Sequence, residues 1–101
     1  MKRKILWDPA AWKEVEEAFE YYAERSRRAA ENFREALDDV VGSVADNGEA
    51  YPIFDEDARR CLLEKYPFGV LYTLDDEYAA IIVVMHTSRR PGYWKERLKK
   101  A

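Results

Sequence analysis

Two segments in the first half of the chain place apolar residues at three- and four-residue spacing, which predicts two amphipathic helices. The first helix is predicted over residues 9–25, because Asp8 can cap it and Pro9 can occupy its first turn. Its apolar stripe, which we expect to be buried, consists of Trp12, Val15, Phe19 and Tyr22. The opposite face is polar and carries Lys13, Glu14, Glu17, Glu20 and Glu24.

The second helix is predicted over residues 27–46, with Ser26 as its cap. Its apolar stripe consists of Ala30, Phe33, Leu37, Val40, Val41 and Val44. Asn47 and Gly48 follow, and both tolerate the left-handed conformation in which helices end. Because the connection between the two helices is short, we expect an antiparallel helical hairpin whose apolar face another layer must cover.

Four shorter segments are rich in β-branched and aromatic residues and predict strands at residues 3–7, 59–65, 69–74 and 78–86. The polar stretch 75–77 is short enough to make the last two strands a hairpin. The last strand is apolar throughout, which is typical of a strand inside a sheet. The element order β-α-α-β-β-β predicts an α+β fold, with the helical hairpin packed on a small, mostly antiparallel sheet. We expect a single domain over residues 1–101.

The charge of the chain is small in total but uneven along the sequence. The formal net charge of −3 argues against strong direct DNA binding by charge alone. Residues 87–101 carry six basic side chains against one acidic one, whereas the predicted loop 47–57 carries four acidic side chains and no basic one. A functional pole near the C-terminus explains the first cluster, and so does a solvated basic tail.

Cysteine and histidine each occur once, as Cys61 and His86. One cysteine cannot form an internal disulfide, and one histidine makes a histidine-based metal site a poor interpretation. We therefore expect neither a metal nor another cofactor, and we interpret Cys61 as a small buried strand residue. No apolar run approaches a membrane span, and the N-terminus lacks the features of a signal peptide, so a cytoplasmic protein is expected.

Several local motifs follow one another in an order that is fairly specific in combination. Arg59-Arg60-Cys61-Leu62-Leu63 precedes Tyr66-Pro67-Phe68-Gly69-Val70-Leu71-Tyr72, and the strand 78–84 precedes His86, Arg89, Arg90, Pro91, Tyr93 and Trp94. The first helix begins with Asp8-Pro9-Ala10-Ala11 and continues with Glu16, Ala18, Tyr21 and Tyr22. Together these motifs resemble the RelE/ParE superfamily of bacterial toxins. The Tyr-Pro-Phe-Gly turn and the Pro-Gly-Tyr-Trp tail are closer to its ParE branch.

The resemblance implies the toxin of a type II toxin–antitoxin system, which a cognate antitoxin holds inactive by wrapping it with an extended or helical segment. In the ParE branch it implies growth arrest by binding and inhibiting a replication enzyme, DNA gyrase, which requires no catalytic residue. In the RelE branch it implies a ribosome-dependent mRNA endonuclease. A third interpretation is a non-toxic module that keeps the fold and binds only the antitoxin.

The endonuclease interpretation assigns chemistry to four side chains near the ends of the last strands. An arginine would stabilise the phosphate and a histidine or tyrosine would move the proton while the RNA 2′-OH attacks. The candidate residues are Arg60, His86, Arg89 and Tyr93. The alternative for His86 is a local structural role at the strand end. Two departures weaken this interpretation: Gly69 stands where the RelE-like enzymes have an arginine, and the acidic loop 47–57 would repel RNA.

The protein-binding interpretation points instead to an aromatic and basic cluster in the C-terminal segment, suited to a pocket or a stacked base on a target. The candidate target contacts are Arg90, Tyr93, Trp94 and Arg97. Alternatively, Trp94 folds back on the helical hairpin as a lid, together with Leu98. Trp7 and Trp12 are interpreted as core residues. We expect the C-terminal segment to be free to touch a macromolecule, and its burial would count against a toxin.

Overall fold

The computed structural model describes residues 2–89 and 92–100 of the chain, in which a helical hairpin covers one face of a five-stranded sheet. The helices are α1 (Pro9–Ala23), α2 (Arg27–Asn47) and α3 (Lys95–Lys100), and a 3₁₀ turn at Gly48–Ala50 follows α2. The strands are β1 (Lys4–Trp7), β2 (Ile53–Asp55), β3 (Ala58–Leu62), β4 (Phe68–Leu74) and β5 (Tyr78–His86).

The strand order in the sheet is β1-β5-β4-β3-β2. β1 runs parallel to β5, and the other neighbouring strands are antiparallel. This arrangement confirms the predicted α+β fold and the interior position of β5. β2 and α3 were not predicted, because three and six residues are too few to show a periodic pattern. β2 lies in the stretch 47–57, which was expected to be a loop.

Side-chain caps begin both long helices as predicted. Asp8 Oδ1 accepts a hydrogen bond from the Ala10 N–H at 2.8 Å, and Ser26 Oγ accepts one from the Ala29 N–H at 3.0 Å. The helix α2 ends where expected, but the predicted left-handed ending is wrong, because Gly48 has a φ of −59° and continues into the 3₁₀ turn. The Tyr72 hydroxyl holds this turn by donating to the Gly48 carbonyl at 2.7 Å.

The buried face of α1 differs from the predicted stripe. Ala11, Val15 and Ala18 are buried, whereas Trp12 and Phe19 are 46% and 37% exposed. The prediction that Trp12 is a core residue is therefore wrong. The small alanine side chains let α1 lie close to the sheet, and this orientation leaves the two large rings on the flank that faces α2.

The sheet carries an apolar core on each of its faces. Val70 and Tyr72 pack toward the helical hairpin, whereas Leu71 packs on the other side. Leu71 pairs with Val83 and Tyr72 pairs with Ile81, so Ile82 is an extra residue and β5 contains a β-bulge. Because of the bulge, the consecutive residues Ile82 and Val83 both reach the second core. The C-terminal segment covers this second core.

Candidate functional site

The C-terminal segment attaches to the fold at the free edge of β5. β1 pairs with β5 only as far as Ile81, so the backbone beyond that residue needs other partners on this side. The Val84 N–H donates to Glu14 Oε1 at 3.1 Å, and Arg97 Nη1 donates to the Ile82 carbonyl at 3.1 Å. Since unpaired backbone groups are costly when water is excluded, these two side chains complete the edge of the strand.

Glu14 and Arg97 also bind each other and Tyr93. Arg97 Nη1 lies 2.8 Å from Glu14 Oε1, and the Tyr93 hydroxyl donates to Glu14 Oε2 at 2.7 Å. The side chains of Glu14 and Arg97 are only 21% exposed or less, so water screens this ion pair less than it screens a surface pair. We call Glu14, Tyr93 and Arg97 the clasp, because they join α1 to the segment that follows β5.

Contacts in the clasp raise the pKa values of Tyr93 and Arg97. Burial and the hydrogen bond to Glu14 raise the pKa of Tyr93 above its ordinary value, so its hydroxyl is a donor at neutral pH. Burial acts to lower the pKa of Arg97, but the hydrogen bond and charge of Glu14 outweigh it, and the pKa is raised. Tyr93 and Arg97, two of the candidate target contacts, thus bind Glu14 and stabilise the fold.

Trp94 is a buried lid on the sheet. It is 1% exposed and packs on the second core with Leu71, Val83 and Met85, while its Nε1–H donates to Asp55 Oδ2 at 3.2 Å. Trp94 is therefore a lid, as one of the two interpretations expected, but it covers the sheet face opposite the helical hairpin and not the hairpin itself. The expectation that the whole C-terminal segment is free is wrong for Trp94, because its indole lies where a partner protein has no access.

Three of the four candidate nuclease residues share one small hollow. His86, Arg89 and Tyr93 line a cavity of 200 Å³ together with Glu14 and Glu17. The His86 ring stands edge-on to Phe68 at 5.2 Å, and the Ser88 N–H donates to its Nδ1 at 3.1 Å. In the neutral ring the proton is therefore on Nε2. Arg89 is exposed, with its guanidinium 4.5 Å from the centre of the Tyr93 ring.

The fourth candidate, Arg60, lies on the other side of the sheet. It pairs with Leu71, which belongs to the second core, and its guanidinium stacks 4.1 Å from the centre of the Phe54 ring. A Cβ on Gly69 would lie 3.3 Å from Cδ of Arg60, so the glycine makes room for the stem of this arginine. Arg60 is thus separated from His86, which packs with Phe68 on the helical side. Arg90 lies outside the residues that the structure describes.

Glu14 is the site residue that sequence reasoning missed. Helical periodicity assigned it to the polar face of α1, yet it receives hydrogen bonds from β5, Tyr93 and Arg97. Its side chain is 14% exposed. No local signal could have found this role, because the arginine partner is 83 residues away in the sequence.

A second surface feature is an apolar groove between α1 and α2. Its volume is 280 Å³, and its floor contains Trp7, Trp12, Val15, Phe19, Phe33 and Leu37. The rings of Trp7 and Trp12 meet edge to face at 5.1 Å. The rim is mainly acidic, because Glu16, Glu20 and Asp38 line it together with one base, Arg34. The exposed rings of Trp12 and Phe19 therefore belong to a concave surface.

The remaining candidate for chemistry is Cys61, which is buried on β3 as predicted. Burial raises the pKa of its thiol, which disfavours the reactive thiolate. In the described part of the chain, no three side chains of His, Cys, Asp or Glu lie close enough together to hold a metal ion. Nor does any helix in that part have both the length and the apolar character of a membrane span.

Comparison with known proteins places this geometry in a family. The chain resembles a solved structure described as the chromosomal ParDE TA system from P. aeruginosa, with a TM-score of 0.72 over 84% of this chain and 96% of that chain. The sequence identity is 12%, so the likeness concerns the fold. No curated protein shows significant sequence similarity to the chain. A family model described as the ParE toxin of the type II toxin-antitoxin system parDE matches residues 5–91. The chain therefore belongs to the ParE toxin family.

Proposed function

We propose that this toxin arrests growth by binding and inhibiting DNA gyrase in the cytoplasm, and that a cognate antitoxin neutralises it. We favour a binding inhibitor over a nuclease because the sheet separates Arg60 from His86. A ribonuclease that used all four candidate residues would need them around one scissile bond, and Arg60 lies across the sheet from the other three. Tyr93 further supports the choice, since its hydroxyl already donates to Glu14. Gyrase as the target comes from the resemblance to the ParE branch.

The target-binding surface in this proposal is the exposed turn after β5. Arg89 extends from this turn with the Tyr93 ring beneath its guanidinium, and the clasp fixes that ring. An arginine that an aromatic ring pre-orders loses less side-chain entropy on binding, and Arg is a frequent hot-spot residue. Tyr93, Trp94 and Arg97 then act mainly by positioning, while Arg89 and its neighbour Arg90 contact the target.

The decisive experiment is a supercoiling and DNA-cleavage assay with purified gyrase. We expect the toxin to inhibit supercoiling at micromolar concentration, and Arg89→Gln to weaken inhibition at least tenfold, or about 1.4 kcal/mol. Lys4→Gln is the matched control, because it removes the same charge from an exposed position beside Tyr78, at the opposite end of β5 from the turn. Unchanged supercoiling in a large excess of a toxin that still stops growth would refute gyrase as the target.

The antitoxin is proposed to dock in the apolar groove between α1 and α2. Trp12 and Phe19 expose ring surface there, and three carboxylates against one arginine on the rim favour a partner with basic residues. We therefore expect an amphipathic helix with apolar anchors and flanking Lys or Arg. Trp12→Ala should weaken antitoxin binding by about 2 kcal/mol, roughly thirtyfold, while toxicity persists. Leu62→Ala is the control, because Leu62 is similarly exposed, at 52% against 46% for Trp12, on the opposite face of the sheet.

An mRNA endonuclease is the second candidate, since His86, Arg89 and Tyr93 line one hollow. Expression of the toxin distinguishes the two, because a nuclease stops translation and cuts mRNA before any DNA damage response begins. His86→Ala should leave toxicity intact if the gyrase proposal is right, and should abolish it if His86 moves a proton. Unimpaired growth during expression of a soluble, folded toxin would favour the non-toxic, antitoxin-binding module.

A further inference from the structure

A hollow of 420 Å³ lies where the end of α1 meets the end of β5. Its lining consists of Tyr21, Tyr22, Arg25, Pro67, Phe68 and His86. No carboxylate takes part in this lining, whereas each of the four other hollows described on the surface has at least one Glu or Asp. In a chain with 20 acidic residues, a carboxylate-free hollow beside an arginine is a favourable place for an anion.

The arginine of this hollow is oriented and keeps its charge unpaired. Arg25 Nη1 donates to the Tyr21 carbonyl at 3.1 Å, and its guanidinium lies 3.8 Å from the centre of the Tyr21 ring. Among residues 2–89 and 92–98, no carboxylate lies within ion-pair distance of Arg25. Its remaining N–H groups form the planar fork that binds two oxygens of a phosphate.

A second nitrogen donor in the hollow is His86. The Ser88 N–H donates to Nδ1, so the neutral ring carries its proton on Nε2. The walls between the two donors are aromatic, because the rings of Tyr22 and Phe68 meet edge to face at 6.4 Å and Phe68 meets the His86 ring edge-on. Tyr21 adds a ring that is 50% exposed. Donors beside accessible rings are the combination that binds a phosphate together with a base.

We propose that this hollow binds a nucleotide, with Arg25 and Nε2–H of His86 on the phosphate oxygens and the Tyr21 side of the hollow against the base. The phosphate belongs either to a free nucleotide or to a single strand of nucleic acid, which share this chemistry. The inference is independent of gyrase inhibition, because it uses neither Arg89 nor the clasp. Only one cation takes part, so binding is weak, with a Kd on the order of 0.1–1 mM.

The test is fluorescence anisotropy of a short labelled oligothymidylate with the full-length toxin. We expect saturable binding whose log–log salt slope is close to −0.7, the value for about one neutralised phosphate on a single strand. Arg25→Gln should weaken binding at least fivefold, a rough expectation for one charged contact. Lys13→Gln removes the same charge from an exposed position on α1, outside the hollow, and should have no effect. Tyr21→Phe should retain binding, and Tyr21→Ala should lose it. Far-UV circular dichroism of each variant shows that it is folded.

Competition identifies the source of the phosphate and can overturn the proposal. Displacement of the oligonucleotide by thymidine monophosphate indicates a free-nucleotide site, and resistance to it indicates a strand-binding site. Equal displacement by inorganic phosphate would show that the rings contribute nothing. Stronger displacement by a glutamate-rich peptide would assign the hollow to an acidic protein instead. The nucleotide proposal would also be refuted if Arg25→Gln and Lys13→Gln weakened oligonucleotide binding equally. The absence of saturable binding at about 5 mM toxin, well above the expected Kd, would refute it as well.

Discussion

Replacing Trp94 by alanine tests whether the C-terminal segment is a layer of the fold. The indole is 1% exposed and fills the second core against Leu71, Val83 and Met85. Buried Trp→Ala substitutions cost about 3–5 kcal/mol, from lost transfer free energy and from the cavity left behind. Trp94 lies near the end of the chain, where the segment can partly collapse into the cavity, so we expect about 3 kcal/mol. The hydrogen bond to the half-buried Asp55 adds little, because water can replace it.

The measurement is urea unfolding followed by far-UV circular dichroism, since the substitution removes one of the three fluorescent tryptophans. Trp12→Ala is the control, because it makes the same chemical change at a position that is 46% exposed. Trp12 loses only its edge-to-face contact with Trp7 and part of its burial, so its cost should be about 1 kcal/mol.

The two variants separate the structural role of Trp94 from a role in target contact. If Trp94→Ala costs no more than Trp12→Ala, the indole is not part of the core and the reasoning about a second layer is refuted. If the cost is large but the folded variant still inhibits its target at low temperature, the indole stabilises the toxin without touching the target. Loss of inhibition by a variant of unchanged stability would instead restore Trp94 as a contact residue.

Three further predictions use the same unfolding measurement. Glu14→Gln and Arg97→Gln should each lower the free energy of unfolding by about 1–3 kcal/mol. The double variant should lose less than the sum of the two, because both substitutions remove the same part-buried ion pair, and strictly additive losses would mean that the two side chains are not coupled. Burial raises the pKa of Tyr72 in the folded state, so the free energy of unfolding is unaffected by this group below the unfolded pKa of about 10 and falls as pH rises above it. Tyr72→Phe should flatten this alkaline decline in stability, and an unaltered pH profile would contradict a buried, protonated Tyr72. Gly42→Ala should stabilise α2 by about 0.5–1 kcal/mol, since the added Cβ meets nothing within 4 Å. Gly48→Ala should destabilise the protein by about 1 kcal/mol, since the added Cβ would lie 3.0 Å from a methyl group of Leu74. A change in stability of the same sign for both variants would contradict the packing at Gly48.

The parts of the fold that the sequence predicted are those that short-range physics determines. Asp8 and Ser26 cap helices through hydrogen bonds to residues two and three positions away. Asp75 closes the turn between β4 and β5, because its carboxylate accepts hydrogen bonds from the backbone N–H groups of Glu77 and Tyr78. Such signals lie within a few residues of the structure that they specify. For this reason the element order and the strand hairpin were predictable.

The parts that were missed depend on contacts between distant residues. Trp12 was predicted to be a core residue because it falls on an apolar periodic position, but the neighbouring alanines decide which face of α1 meets the sheet. Glu14 and Trp94 depend on partners 83 and 39 residues away, Arg97 and Asp55. Neither spacing is visible in a local pattern. The candidate site was therefore named in part, with its aromatic and basic residues, but without the carboxylate that organises them.

The burial of the C-terminal segment also changes what the family signature means. We expected that burial of this segment would count against a toxin, and that expectation was wrong, because the family match spans residues 5–91 and does not include Tyr93 or Trp94. Both residues are explained by packing and by the clasp. A signature that packing explains is informative about the fold, and it carries little information about the target. Differences in target between proteins with this fold should therefore depend on side chains that packing leaves unexplained, which here include Arg89 on the turn and Arg25 in its carboxylate-free hollow.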